Sequence, residues 1–196
     1  MYKIKRLSTE LDINKYLDEY VDIDQFLEYC KKCSCYGTKW SCPPYDFDVL
    51  AYWKQFNSIY ILGEKILFNQ DESQQQFSKE EIKNFMSDVL SKEKLRLTEE
   101  LYNLEKQYDG SVSLSAGSCS LCGDSIMENK SCTRLTCNKS TAKESCIHYD
   151  QMRYSIESLG GNVGKTCSKL LGIELEWIEE NKLPSYFVLV CGLLKK

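Results

Sequence analysis

Cysteine is the residue that most constrains how this chain can fold. The sequence has 196 residues, with 11 cysteines but a single histidine. Nine of the cysteines form two groups, Cys30-x2-Cys33-x-Cys35-x6-Cys42 and Cys119-x2-Cys122-x9-Cys132-x4-Cys137-x8-Cys146. A C-x-x-C pair directs two sulfurs to one metal, and more distant cysteines complete the set. The spacing therefore predicts metal sites composed mostly of thiolates.

The remaining composition favours a reducing compartment. The N-terminal residues contain no apolar stretch of signal-peptide length, and the longest apolar run, residues 186–194, is too short to cross a bilayer. We therefore expect a cytoplasmic protein with no membrane association. Clustered cysteines in that compartment are more often metal ligands or redox groups than disulfides, and an odd number of them fits a disulfide framework badly.

The charge balance argues against nucleic-acid binding. The chain has 25 basic and 29 acidic residues, a net charge of −4, whereas proteins that bind phosphate backbones usually carry a basic excess. Hydrophobic residues make up 42% of the chain, which is enough for a packed core. The sequence leaves the oligomeric state open.

The periodicity of apolar residues predicts an α+β fold in one domain, residues 1–196. Strands are expected at residues 2–7, 58–68 and 111–115, and a closing hairpin is expected to pair residues 173–178 with 186–193. Helices are expected from residue 23, at 48–56, 78–108, 152–159 and 163–171. The prediction is a mostly antiparallel sheet of about four strands covered by helices on one face, with two cysteine-rich loops, residues 30–45 and 118–150.

The second of these loops cannot fold through packing alone. Residues 118–150 contain five cysteines and many lysine, serine, threonine and asparagine residues, but few large apolar ones. We therefore expect metal binding to order this segment. Cys167 and Cys191 differ, because they occupy apolar helix and strand positions and are expected to be buried core thiols.

The identity of the metal remains open at this stage. A proline follows Cys42, as in bacterial ferredoxins, and each group has a single C-x-x-C pair, whereas zinc ribbons usually have two. Cys122-Gly123, in contrast, is typical of a zinc knuckle. Iron–sulfur ligation, of the cubane [4Fe-4S] type, is the favoured interpretation; zinc is the alternative, since both accept cysteine alone.

Three stretches resemble the DUF2284 family of predicted metal-binding proteins. They are Cys30-x2-Cys33-x2-Tyr36-Gly37-x2-Trp40-x-Cys42-Pro43-Pro44, then Ala116-Gly117-x-Cys119-x2-Cys122, then Arg153-Tyr154-Ser155-x-Glu157-x2-Gly160-x2-Val163 after Cys146. The resemblance implies cysteine-ligated, iron–sulfur-type metal binding and no established reaction. It implies Cys30, Cys33 and Cys42 as ligands of a first site, and Cys119, Cys122, Cys137 and Cys146 as ligands of a second.

Two cysteines lie outside the resemblance. Cys35 is an addition to the first motif, and we include it as a ligand because a thiol this close to a thiophilic metal would be captured. Residues two apart in an extended backbone face the same way, so Cys33 and Cys35 can both point inward. Cys132 lies in a longer loop than in similar proteins and is a reserve ligand.

The sequence supports one favoured function and two alternatives. The favoured function is electron transfer with a redox partner protein through one or two clusters. If Cys35 does not bind, an open iron site would instead suit an enzyme that binds substrate or sulfur. The third hypothesis is a zinc-stabilised binding module. No catalytic residue is assigned; His148 is interpreted as a surface histidine and Glu157 as a solvent-exposed helix carboxylate.

Overall fold

The computed structural model describes residues 2–68, 77–122, 132–135, 145–179 and 182–196. Its regular elements, in chain order, are β1 Lys3–Asp12, α1 Ile13–Tyr20, α2 Ile23–Lys31, α3 Val49–Trp53, β2 Ser58–Leu67, α4 Lys79–Glu105, β3 Val112–Leu114, α5 Val163–Lys165 and β4 Tyr186–Lys195. Short 3-10 turns cover Thr133–Leu135 and Glu157–Leu159, and a π-helical turn, Thr166–Leu171, continues α5.

The strands form one antiparallel sheet in the order β1-β2-β4-β3. This confirms the α+β class and the four strands. The predicted closing hairpin is wrong, because residues 173–178 form no strand and β4 pairs with β2 and β3 instead. Ile173 is buried, but Glu174 and Trp177 are exposed, so this segment lacks the continuous burial that β4 obtains between its two neighbours.

The sheet is covered on both faces, which corrects the prediction of helices on one face. Ile59 and Ile61 of β2 belong to the main core, together with Tyr16 of α1 and Trp53 of α3. Leu62 points to the opposite face and packs with residues of α4. Side chains alternate along a strand, so β2 needs apolar residues on both faces, and its sequence SIYILGEKIL supplies them at residues 59–62 and 66–67.

Helix α4 follows its sequence pattern closely. Ser78 and Glu81 form a capping box, in which the Glu81 N–H donates to Ser78 Oγ (3.2 Å) and the Ser78 N–H donates to Glu81 Oε2 (2.8 Å). The buried positions Ile82, Val89 and Leu97 confirm the apolar stripe. None of the helices in the described ranges is long and apolar enough to cross a bilayer.

The region after the second cysteine loop is less helical than predicted. Of residues 152–159, only Glu157–Leu159 form a helical turn. The N–H groups of Ser155 and Ser158 donate to each other's side-chain oxygens (3.0 and 3.2 Å), which replaces main-chain helix bonds. Gly160 then ends the turn at φ +85°, and a Cβ there would lie 2.7 Å from the Cα of Ile23. Glycine at this position therefore lets the turn pack against the start of α2, the helix that leads to Cys30.

Candidate metal centre

Residues 30–45 fold as a series of tight turns that begins in the last turn of α2. The Cys33 N–H donates to the carbonyl of Cys30 (2.9 Å), and the Tyr36 N–H donates to that of Cys33 (3.0 Å). Gly37 adopts φ +66°, and its N–H donates to the carbonyl of Pro43 (2.8 Å). This last bond holds the end of the loop against its start, so that Cys42 lies near the other three cysteines of the loop.

The four thiols of this loop interact with one another. Cys35 and Cys42 are buried and their side chains are hydrogen-bonded, while Cys33 also contacts Cys35. Cys30 is partly buried, and the charge of Cys33 acts on it. Cys33 itself is exposed to solvent. The structure therefore joins the four predicted ligands of the first site by pairwise interactions, with Cys33 at the surface and Cys35 and Cys42 buried.

The surroundings of this first group favour a thiolate. The hydrogen bond from the Cys42 thiol, together with Ser118 and the Lys39 charge, lowers the pKa of Cys35 despite burial. The pKa of Cys42 is raised, because it is the donor in that bond and because it is buried. The backbone N–H of Cys35 also donates to Cys33 Sγ (3.5 Å). Deprotonated sulfur is the form that binds metal.

The second group of cysteines surrounds a small cavity. Four thiols line it, together with His148, Met152 and three residues of the first loop; the four are Cys119, Cys122, Cys132 and Cys146. The free volume is about 10 Å³, room for about one water molecule or a single ion. The backbone N–H of His148 donates to Cys146 Sγ (3.4 Å). The predicted surface histidine thus lies in the wall of a cysteine cavity.

Not every sequence-predicted cysteine is placed by the structure. Cys137 lies outside the described residues, so its role stays a prediction, and the reserve ligand Cys132 lines the cavity. Cys167 and Cys191 are fully buried in the core, as expected. Burial raises the pKa of Cys167 to about 11 and raises that of Cys191 further, so both thiols are protonated at neutral pH.

Two buried lysines lie where the cysteine groups meet. Lys39 is 2% exposed, and its Nζ donates to the carbonyl of Cys119 (2.9 Å). Lys94 is 6% exposed, and its Nζ donates to the carbonyl of Ser118. Both charges act on the Cys119 thiol, whose pKa is raised by burial and by Cys146 but lowered by the lysines. Two positive charges can thus offset the negative charge of two thiolate sites.

Neither lysine was identified from the sequence, although the position of Lys94 in the apolar pattern of α4 is unusual. Lys94 lies four residues after Leu90 and three before Leu97, so it interrupts the apolar stripe of α4 at a position that should be buried. A lysine on a buried helix face requires nearby negative or polar groups. Lys39 has no comparable signal, because it lies in a loop without periodicity.

Glu157 differs from its prediction as a solvent-exposed carboxylate. Its Oε2 is fully buried and has no hydrogen-bond partner. Burial raises the pKa of this carboxyl, against the opposing effects of Ser155 and the Lys94 charge. Its charge also acts on Cys30 and Cys167, so the carboxyl lies on the inner side of the first cysteine group. The cause of the error is the missing helix at residues 152–159.

The donor chemistry of both groups fits a thiophilic metal. None of the ten described cysteines is in a disulfide with another, and each group supplies sulfur almost exclusively. Within the described ranges, no three histidine, cysteine, aspartate or glutamate side chains already converge on one point. The ligand types therefore match a metal, and their side chains would have to turn towards it on binding.

Comparison with known proteins agrees with this donor chemistry. The model of a family described as "Predicted metal-binding protein (DUF2284)" matches residues 17–193, which include every cysteine of both groups. No curated protein and no solved structure matches the chain.

Proposed function

Because the chain belongs to the DUF2284 family of predicted metal-binding proteins, we propose that it is a cytoplasmic iron–sulfur protein that exchanges electrons with a partner protein. It would hold up to two cysteine-ligated clusters of the [4Fe-4S] type. The observation that carries the proposal is the juxtaposition of two thiol groups, one at the surface and one enclosed, with Lys39 interacting with both.

The proposed ligands follow from these two groups. Cys30, Cys33, Cys35 and Cys42 would hold the first centre. The second would be held by Cys119, Cys122 and Cys146 with a fourth cysteine, for which Cys132 and Cys137 compete. Such clusters carry single electrons at a potential set by charge, burial and hydrogen bonds to sulfur.

Hydrogen bonds to the cysteine sulfurs would tune the reduction potential of each cluster, and solvent exposure would decide which cluster meets the partner protein. Backbone N–H groups donate to Cys33 and Cys146, which stabilises negative charge on sulfur. The exposed Cys33 offers a partner access to the first centre, whereas the four described thiols of the second group are all buried or partly buried. An exposed centre next to an enclosed one suits electron transfer, because only the first needs to approach the partner.

Metal analysis of anaerobically purified protein tests this function. We expect a broad visible absorption, with about four iron atoms and about four sulfides for each cluster. Reduction with dithionite should bleach the colour and produce an EPR signal. A colourless protein that contains zinc and no sulfide would contradict the proposal. It would favour the zinc-stabilised module, which the small volume of the second cavity also suits.

Replacing Cys132 with serine should remove the metal of the second centre. The side chain of Cys132 lines the cavity with three other thiols, so its loss opens the ligand set. We expect iron per chain to fall to about half, and the corresponding loss is measured for Cys137→Ser. Iron and sulfide are measured on both variants after identical anaerobic purification. A larger loss of iron from Cys137→Ser than from Cys132→Ser would establish Cys137, the ligand that the family resemblance implies.

Replacing Cys35 with serine distinguishes an electron carrier from an enzyme. Contacts of Cys35 with Cys33 and Cys42 support it as the fourth ligand of a closed centre. The native EPR signal should therefore not respond to cyanide, whereas the Cys35→Ser signal should shift. Ser34→Ala serves as a neighbouring control. If the native signal already shifts and the variant behaves identically, Cys35 is not a ligand and the alternative enzyme with an open iron site is favoured.

A further inference from the structure

The first cysteine loop forms part of the wall around the second group of cysteines. Lys39, Trp40 and Ser41 lie between Cys35 and Cys42 in sequence, yet all three line the cavity of the second group. Each is at most 3% exposed. The second cavity is therefore complete only when the first loop has its folded conformation.

The first loop also holds the backbone of a second-site cysteine. The N–H of Cys119 donates to Ser41 Oγ (3.0 Å), and the carbonyl of Cys119 accepts from Lys39 Nζ (2.9 Å). Both main-chain groups of this residue are thus satisfied by side chains of the other loop. The position of Cys119 depends on how residues 39–41 are arranged.

The second loop holds the first in return through Arg134, two residues after Cys132. Its guanidinium donates to three carbonyls, those of Lys39 (2.7 Å), Cys42 (2.5 Å) and Pro44 (2.6 Å). Next to it, Trp40 Nε1 donates to Thr133 Oγ1 (3.0 Å). A guanidinium presents its donors in a fixed plane, so one side chain fixes three points of the backbone around Cys42.

Because of these reciprocal contacts, the conformation of each cysteine loop depends on the conformation of the other. Residues 132–135, the middle one of the three described stretches of the second loop, have a single buried side chain, that of Cys132. Packing alone therefore does not fix this segment, and the hydrogen bonds to the first loop carry much of its order. When either loop takes its folded conformation, it presents its donors and acceptors for these hydrogen bonds to the other loop.

We propose that the two metal centres fill cooperatively, and that Arg134 and Lys39 are the positioning residues that couple them. The proposal rests on the proposed function, since it requires metal at both sites. Metal at the first centre fixes residues 39–44 in the conformation that completes the second cavity. Because coupling between two binding sites is reciprocal, metal at the second centre strengthens the first by the same factor.

Anaerobic titration of the full-length apo-protein with Co²⁺ tests the coupling, because cobalt–thiolate absorption reports site filling. The wild-type chain should fill both sites in one steep transition, with a Hill coefficient above one. Arg134→Lys keeps the charge but loses the planar fork, and should give two separate or shallow transitions. Arg6→Lys is the matched control, because the Arg6 guanidinium pairs with the carboxylates of Glu64 and Glu100 rather than with carbonyls of a cysteine loop.

A second, independent test removes a ligand from one site and measures the Co²⁺ affinity of the other site. Cys42→Ser should weaken Co²⁺ binding at the second site about tenfold, and Cys119→Ser should weaken the first by a similar factor. In an Arg134→Lys background both effects should largely disappear. Equal titration curves for Arg134→Lys and wild type would overturn the coupling. Absence of cobalt–thiolate absorption from the wild-type protein would also overturn the coupling, whereas the iron and sulfide analysis decides the proposed function separately.

Discussion

Removing metal from the anaerobically purified protein should expose residues 118–150 to proteases while the sheet and α4 remain folded. The segment has few large apolar residues, so metal binding supplies the free energy that orders it. In contrast, α4 buries Ile82, Val89, Leu97 and Leu101 against the sheet and needs no metal. The folded core and the cysteine loop should therefore respond differently to a chelator.

Limited trypsin digestion followed by mass spectrometry measures this difference. Lys130, Arg134, Lys139 and Lys143 provide cleavage sites inside the segment, and Lys92 and Arg96 provide internal controls in α4. Cleavage inside the segment should accelerate by about tenfold or more on chelation, with α4 still intact. Equal resistance of the metal-free and metal-bound proteins would show that something other than metal orders residues 118–150.

Local sequence patterns were sufficient to predict the helices that begin at clear caps and the central strand. Ser78, Asp48 and Asp22 cap their helices, and such caps are local because each bond joins residues three positions apart. Helix α1 was not predicted, since its eight residues follow directly from β1 without a loop. There Asp12 is both the last strand residue and the helix cap, accepting from the N–H groups of Asn14 and Lys15.

The arrangement of the sites depended on information that spacing does not contain. The two cysteine groups are visible in the sequence, because each uses short C-x-x-C turns. Their contact is not, since it depends on pairs such as Arg134 with Lys39, 95 positions apart, and Lys39 with Cys119, 80 positions apart. Such pairs form only when the fold has brought β3 and the first loop together. Sequence therefore indicates the ligand types, and tertiary packing determines how the sites interact.

Replacing Glu105 with glutamine should lower the free energy of unfolding more than replacing the exposed Glu100 does, because the Glu105 carboxylate connects both ends of the second cysteine loop. It accepts from the N–H (2.7 Å) and the hydroxyl (2.6 Å) of Ser113 in β3, which leads to Cys119. It also accepts from Arg153 Nε (2.8 Å) and Nη2 (2.6 Å), shortly after Cys146. The side chains of Glu105 and Arg153 are 15% and 10% exposed, so the pair is mostly buried. Glutamine would leave Arg153 without its counter-charge, at a cost of about 2 kcal/mol.

The pH dependence of that loss follows from the pKa of Glu105. Burial raises this pKa, but the hydrogen bonds from Arg153 and Ser113 outweigh burial, and the pKa is lowered overall. The stabilisation is therefore complete above the unfolded pKa of about 4.3 and disappears as the pH falls through the lower folded value. Urea unfolding of wild type and Glu105→Gln, followed by circular dichroism, should show a difference that is constant from pH 7 to about pH 5 and shrinks below it. Acid also protonates the cysteine ligands, but equally in both proteins, so the difference isolates Glu105.

Glu100→Gln is the control: Glu100 pairs with Arg6 and Arg96 but is 43% exposed, and its replacement should cost less than about 1 kcal/mol. Equal losses for the two variants would show that Glu105 is an ordinary surface carboxylate and that the loop ends are held by packing.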